Sequence, residues 1–259
     1  GRPLDVSVTN PFPESLPRRN EFDTLAGAGR AMLRAVTGRS PSKSESTIDA
    51  LREQTLRMGA LAEAILAKAL RCVVERDRAL GEAVQRDDLA IDQLDVAIDD
   101  AILRALALQA PVAEDLRQVI AIKTMTTDLE RIGDLSRNIA KSGMRLAERA
   151  ETQLPSRLEP LRNEATRQLR TALDSFQTLD AEAARGVIAG DDRVDELQDA
   201  LVRQLIEGME RDPSSASQAV DVIFIAESLE RVGDHATNIA EDVILAVEAR
   251  NVKHAEKLA

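Results

Sequence analysis

Residues 129–140 read LERIGDLSRNIA, and residues 229–240 read LERVGDHATNIA. Eight of the twelve positions are identical and a ninth exchanges Ile132 for Val232, at an offset of 100 residues. On a helix turning about 100° per residue, Leu129, Ile132, Ser136, Ile139 and Ala140 share one face. Glu130, Asp134 and Asn138 step down a different side, and the second copy repeats them as Glu230, Asp234 and Asn238. Core packing does not ask for such a polar stripe. Each half of the chain therefore carries a helix with the same apolar face and the same carboxylate and amide flank.

Working outward, the apolar period is helical throughout. Ile48, Leu51, Met58, Leu61, Ile65, Leu66, Ala69 and Val73 make a first stripe ending near Asp77. A second runs through Leu80, Val84, Ile91, Leu94, Ile98 and Ile102 and stops at QAPVAEDLR, where Pro111 forbids continuation and Glu114 and Asp115 suit the start of the next helix. The third helix is expected from about Ala113 to Ala150. After Pro155 and Pro160 three more stretches follow, from Pro160 to Thr178, Ala181 to Arg211 and Ser214 to Arg250. RDDLAIDQL (86–94) lies over AGDDRVDEL (189–197) at an offset of 103, so three residues have been gained or lost in a loop between the aligned blocks. The reading is an all-α fold of two tandem three-helix bundles related by internal pseudo-symmetry, over 47–152 and 153–252. Composition agrees: Trp and Tyr are absent and Phe occurs four times, which suits helix-on-helix packing and suits strands poorly.

Flanking these repeats are residues 1–46 and a tail at 253–259. The first 46 residues hold five of the nine prolines and seven basic against five acidic side chains. They read as a loosely ordered arm in which Phe22, Leu25, Met32, Leu33 and Val36, beside Arg30 and Arg34, recur at the spacing of a short basic amphipathic helix. The net charge of −11 and the scarcity of aromatic side chains argue against nucleic acid as a partner. Cys72 is the only cysteine, so no internal disulfide or thiolate zinc site can form. No run of about 18 apolar residues exists, and Arg30 and Arg34 interrupt the stretch after Arg18-Arg19 where an export signal needs an apolar region. The expected location is the cytoplasm.

The repeat is strict where the polar stripe lies and loose around it. In the fourteen residues before each copy only Gln118/Gln218 match. Asp88 and Asp92 form a second i, i+4 pair, repeated as Asp191 and Asp195, and in the first half the stripe continues through Asp95 and Asp99. Like charges at that spacing destabilise a helix by roughly 0.2–0.5 kcal/mol per pair. A compensating positive charge is expected, either arginine or a metal ion. Arg131 and Arg231 adjoin the Glu in each copy, but adjacent helical residues point about 100° apart and pair poorly. Paired carboxylates with an amide oxygen, and no shared Cys or His, fit Mg²⁺, Mn²⁺, Ca²⁺ or iron; a solvated acidic face is the alternative. Gly133 and Gly233, beside the core stripe, call for close helix approach.

Together QAPVAEDLR, TTDLERIGDLSRNIA, IAESLERVGDHATNIAEDVI and the opening LREQTLRMGALAE resemble the PhoU family of bacterial regulators of phosphate uptake and signalling, over about 47–252. The resemblance implies two pseudo-symmetric three-helix bundles holding cations (Mg, Mn, Fe, Zn or Ca) on Asp88, Asp92, Glu130, Asp134 and Asn138 in one half, and on Asp191, Asp195, Glu230, Asp234 and Asn238 in the other, with Glu227 added there. It implies a non-enzyme adaptor, homodimeric, linking the ATPase of a phosphate ABC transporter to a sensor histidine kinase, with membrane contact only through partners or the arm. Thr127 stands opposite Glu227, Gln198 and Val202 opposite Asp95 and Asp99, and Leu135 opposite His235. The two sites are therefore expected to differ. The rivals are a di-iron type enzyme, which needs Glu-x-x-His pairs that neither His235 nor His254 supplies, and a helical scaffold of another phosphate transporter with no metal role.

Overall fold

Asp77, Asp180 and Asp212 each precede a helix and satisfy backbone donors that its first turn leaves free. Asp77 accepts from Ala79 N–H at 2.8 Å, Asp180 from Glu182 and Ala183 N–H at 2.9 and 3.0 Å, and Asp212 from Ser214 N–H at 3.0 Å. These caps fix the connections of a helical chain. The computed structural model describes residues 43–149 and 153–252. Among them form α1 (Lys43–Glu75), α2 (Arg78–Asp87), α3 (Leu89–Gln109), α4 (Ala113–Ala147), α5 (Leu158–Thr178), α6 (Ala181–Ile188), α7 (Asp191–Arg211), a 3-10 turn (Pro213–Ser215) and α8 (Ala216–Glu248), with no strand among the described residues. The expected basic amphipathic helix near the N-terminus and the tail at 253–259 lie outside the described residues. α1 begins at Lys43, four residues before the repeat start expected at residue 47.

The sequence period predicts one helix where the structure has two, at the same place in each half. In the first half the break is slight: Asp88 stays right-handed (φ −58°, ψ −33°), its N–H donates to Val84 O at 3.1 Å, and Asp92 N–H donates to Asp88 O at 3.2 Å. The apolar stripe therefore runs from α2 into α3 without interruption. In the second half Gly190 (φ −96°, ψ 2°) separates α6 from α7.

α4 and α8 lie antiparallel against each other at the centre, and each supports an equivalent set of helices. α1, α2 and α3 pack on α4; α5, α6 and α7 pack on α8. That correspondence is the pseudo-symmetry expected of two tandem bundles. Met58, Ile65, Leu66, Met125, Leu129 and Ile132 join Leu161, Leu169, Phe176, Ile225, Leu229 and Val232 in a single buried cluster that passes through both halves. Truncating one such Leu to Ala costs about 2–5 kcal/mol. Arg52 of α1 adds a polar tie, donating to the Phe176 and Gln177 carbonyls at the end of α5, both at 2.9 Å. Cys72 is buried, and burial pushes its thiol up to about 11. No described helix is long and apolar enough to cross a membrane.

Candidate cation sites on two carboxylate stripes

In each half two helices bring their carboxylates together. Asp88 at the head of α3 feels the charges of Asp92 and of Asp134 on α4, and Glu130 feels Asp134, Asp95 and Asp92. In the second half Asp195 of α7 feels Asp191 and Asp234, and Glu230 of α8 feels Asp234, Asp195 and Asp191. The glycines permit this approach. A Cβ at Gly133 would lie 2.6 Å from Asp88 Oδ1, and one at Gly233 would lie 3.2 Å from Gln168 Oε1 and 3.3 Å from Val194.

The first-half stripe carries its own cations. Arg137 stands between the two motifs, with Nη1 2.7 Å from Asp88 Oδ2 and Nη2 donating to Asp134 Oδ1 at 2.6 Å. The Asp88 side chain is only 2 % exposed, so an unpaired charge there would be costly. Lys123 holds Asp99 at 2.7 Å, and Arg131 lies 3.5 Å from Glu130 and 3.6 Å from Asp134. Burial raises the Asp88 pKa, Arg137 lowers it and Asp92 and Asp134 raise it again; burial is also the main cause of the rise at Asp95 and Glu130.

The second half lacks both inner cations. Thr237 occupies the position of Arg137 and Ile223 that of Lys123. Thr237 Oγ1 donates to Asp191 Oδ1 at 2.9 Å. None of Asp191, Asp195, Glu230 and Asp234 lies in an ion pair among the described residues. Burial, then Asp234 and Asp195, push the Glu230 carboxyl up to about 7. Asp195 and Asp234 are raised as well, again through burial first and neighbouring carboxylates second.

Three expected residues remain, Glu227, Asn138 and Asn238. Glu227 and Asn138 are exposed. Asn238 Nδ2 donates to Asp128 Oδ1 of the other half at 3.1 Å, and His235 Nδ1 stands 2.7 Å from the same oxygen. Among the described residues no three His, Cys, Asp or Glu side chains already converge on one metal-sized position. The donor chemistry of the second half nevertheless fits a hard cation, because Arg231 and His235 act on Glu230 and Asp234 only through their charge and, among the described residues, no cation is ion-paired with its oxygens. That of the first half does not fit, because a guanidinium already sits between Asp88 and Asp134.

The PhoU domain family matches this chain twice, over residues 55–143 and 158–243. The chain belongs to the PhoU family. Both matched segments contain a complete pair of carboxylate motifs, so the family pattern spans both stripes. The chain is 36% identical over 208 residues to the phosphate-specific transport system accessory protein PhoU homolog of Pseudomonas putida, covering 80% of this chain and 81% of that protein. Its fold is similar to the crystal structure of PhoU from Pseudomonas aeruginosa, with a TM-score of 0.77 and 33% identity over 79% of this chain and 99% of that one. The phosphate transport system regulatory protein PhoU from Streptococcus pneumoniae is likewise similar, at a TM-score of 0.75 and 28% identity, over 81% and 99%.

Sequence reasoning passed over Arg137, Lys123 and Asp128. The signal for Arg137 was present, since Arg137/Thr237 is one of the mismatches inside the repeated string and lies three residues after Asp134. Asp128 gave no such sign: its partners are more than 100 residues away.

Proposed function

We propose that this chain is a non-catalytic accessory protein of a phosphate-specific transport system. It is an adaptor that links the ATPase of a phosphate ABC transporter to a sensor histidine kinase and represses the phosphate-starvation response when phosphate is plentiful. The observation that carries this reading is the double family match, reinforced by relatives named for phosphate-specific transport over four-fifths of the chain. The adaptor works in the cytoplasm as a homodimer and reaches the membrane through its partners. The test is a tagged full-length chain in phosphate-replete cells. Co-purification of the transporter ATPase and the kinase, with starvation genes switched on by deletion, is expected. Capture of neither partner together with unchanged starvation-gene expression would overturn the reading.

The second-half carboxylates Asp191, Asp195, Glu230 and Asp234, with Glu227 at their edge, take a hard cation such as Mg²⁺, Mn²⁺ or Ca²⁺, or iron. A bound cation supplies the positive charge that this set lacks. The four side chains contribute oxygen donors and, when loaded, tie α7 to α8. Elemental analysis of protein purified without chelator tests this, alongside the melting temperature with and without each ion. A second reading, a helical scaffold with no metal role, is favoured by the lack of any ready-made convergence of three ligating side chains among the described residues. It predicts no bound ion and no thermal response.

A further inference from the structure

We propose that Arg137 is a built-in cation that closes the first-half cluster to metal, so that this chain loads cations through its second half alone. This rests on the cation reading given above for the second half. The geometry is that of an internal counter-ion: one guanidinium nitrogen at 2.7 Å from buried Asp88 and another at 2.6 Å from Asp134, spanning the two motifs that a cation would have to join. A planar guanidinium that pairs with two carboxylates at once is already positioned and does not dissociate. An incoming divalent ion would have to expel it and leave a positive charge beside itself.

The substitutions elsewhere follow the same logic. Position by position, the half with more carboxylates also has more inner cations. Asp95 and Asp99 are matched by Lys123, which lies 2.7 Å from Asp99. In the second half Gln198 and Val202 replace those two aspartates and Ile223 replaces the lysine. Where the arginine is lost, at Thr237, the carboxylates are kept. The hydroxyl of Thr237 donates one hydrogen bond to Asp191 and brings no charge. Arg231 follows Glu230 in sequence and its charge, with that of His235 at Asp234, partly offsets the repulsion, but among the described residues neither is ion-paired with the set as Arg137 is with Asp88 and Asp134. The duplicated sites have thus diverged in their counter-ion: covalently attached in one, supplied from solution in the other.

The experiment uses the full chain and Mn²⁺ alone, with bound ions counted by calorimetry and by Mn²⁺ electron paramagnetic resonance, and apo stability followed in chelator. Asp88→Asn with Asp134→Asn should leave the wild-type Mn²⁺ count unchanged, and Asp191→Asn with Asp234→Asn should abolish binding. Arg137→Thr should raise the count by opening the first half, and Thr237→Arg should remove binding while raising apo stability. In chelator Arg137→Thr should lower the melting temperature, and adding Asp88→Asn with Asp134→Asn to it should recover most of the loss. Loss of wild-type Mn²⁺ binding in Asp88→Asn with Asp134→Asn would overturn the proposal, as would an Arg137→Thr chain with unchanged ion count and unchanged apo stability. If wild-type and Arg137→Thr chains both bind no Mn²⁺ yet Arg137→Thr is destabilised and rescued as stated, the internal counter-ion stands and the cation reading of the second half falls.

Discussion

Replacing Glu230 by Gln should make the metal-free protein more stable at neutral pH and leave it almost unchanged in mild acid. A carboxyl whose pKa is raised on folding holds its proton in the folded chain while the unfolded chain has already released it. Its contribution therefore favours the fold below its ordinary value near 4.5, and that contribution is lost as the pH climbs toward the folded value of about 7. Each pH unit separating the folded from the unfolded value corresponds to about 1.4 kcal/mol, which sets a ceiling of roughly 3 kcal/mol over the window. Glu230 is only half-buried and water screens part of the repulsion from Asp234 and Asp195, so roughly 1–2 kcal/mol is the expected size. The assay is urea unfolding of wild-type and Glu230→Gln chains in chelator, from about pH 5 to about pH 8. The two midpoints should coincide near the acid end, with the variant ahead near the alkaline end. A gap that stays constant, or that favours the wild type as pH rises, would refute the electrostatic account of this stripe.

Asp221, 4 % exposed, pairs with Arg145 at 2.6 Å and Arg149 at 2.5 Å where α4 meets the start of α8. Arg145→Ala or Arg149→Ala alone should cost about 1 kcal/mol, and both together roughly 3–5 kcal/mol, because only the double variant strands the buried carboxylate; a double-mutant cycle by chemical denaturation checks the excess. Gly133→Ala places a Cβ 2.6 Å from Asp88 Oδ1 and should cost about 1–3 kcal/mol despite its better helix propensity. Gly233→Ala, whose nearest neighbour is 3.2 Å away, should stay within about 1 kcal/mol of neutral; chemical denaturation of both glycine variants beside wild type checks the difference. His235→Leu should destabilise by about 1–3 kcal/mol through loss of the Asp128 contact, and adding Asp128→Ser should restore most of it by copying the Ser228 and Leu135 pairing of the opposite position.

The helical class, the duplication and the two stripes were legible because they rest on local periodicity, and a stripe such as Leu129, Ile132, Ile139 states its own burial. The bounds of α4 and α5 fall within a few residues of expectation for the same reason. The break at Asp88 was not legible, since its backbone stays helical and the apolar period passes through unaltered. The choice between arginine and metal as counter-ion was only half legible: the Arg137/Thr237 mismatch stands in the repeated string, but its pairing does not. It depends on Arg137 of α4 reaching Asp88 at the head of α3, 49 positions earlier in the chain, a relation that only packing creates. Arg131, next to Glu130, pairs poorly as adjacency on a helix predicts: its closest approaches are 3.5 and 3.6 Å and its side chain is 58 % exposed, whereas Arg137 lies 2.7 and 2.6 Å from two carboxylates.

The contact of Asp128 with His235 and Asn238 decides which pieces of this protein can replace one another. About the axis between α4 and α8 its counterpart is Ser228 beside Leu135, a neutral pair with both residues buried. Two first halves placed together would set each Asp128 against a Leu135 in place of the His235 imidazole, keeping only the Asn138 amide in the place of Asn238, and would bring Arg145 and Arg149 against Ala121 in place of Asp221. Two second halves would meet through Ser228 and His235 and leave Asp221 opposite Leu245. Each half has come to hold only one side of a two-sided lock. A self-paired copy of either half would lose the Arg145–Asp221 and Arg149–Asp221 pairs, so the two halves are not interchangeable at this interface.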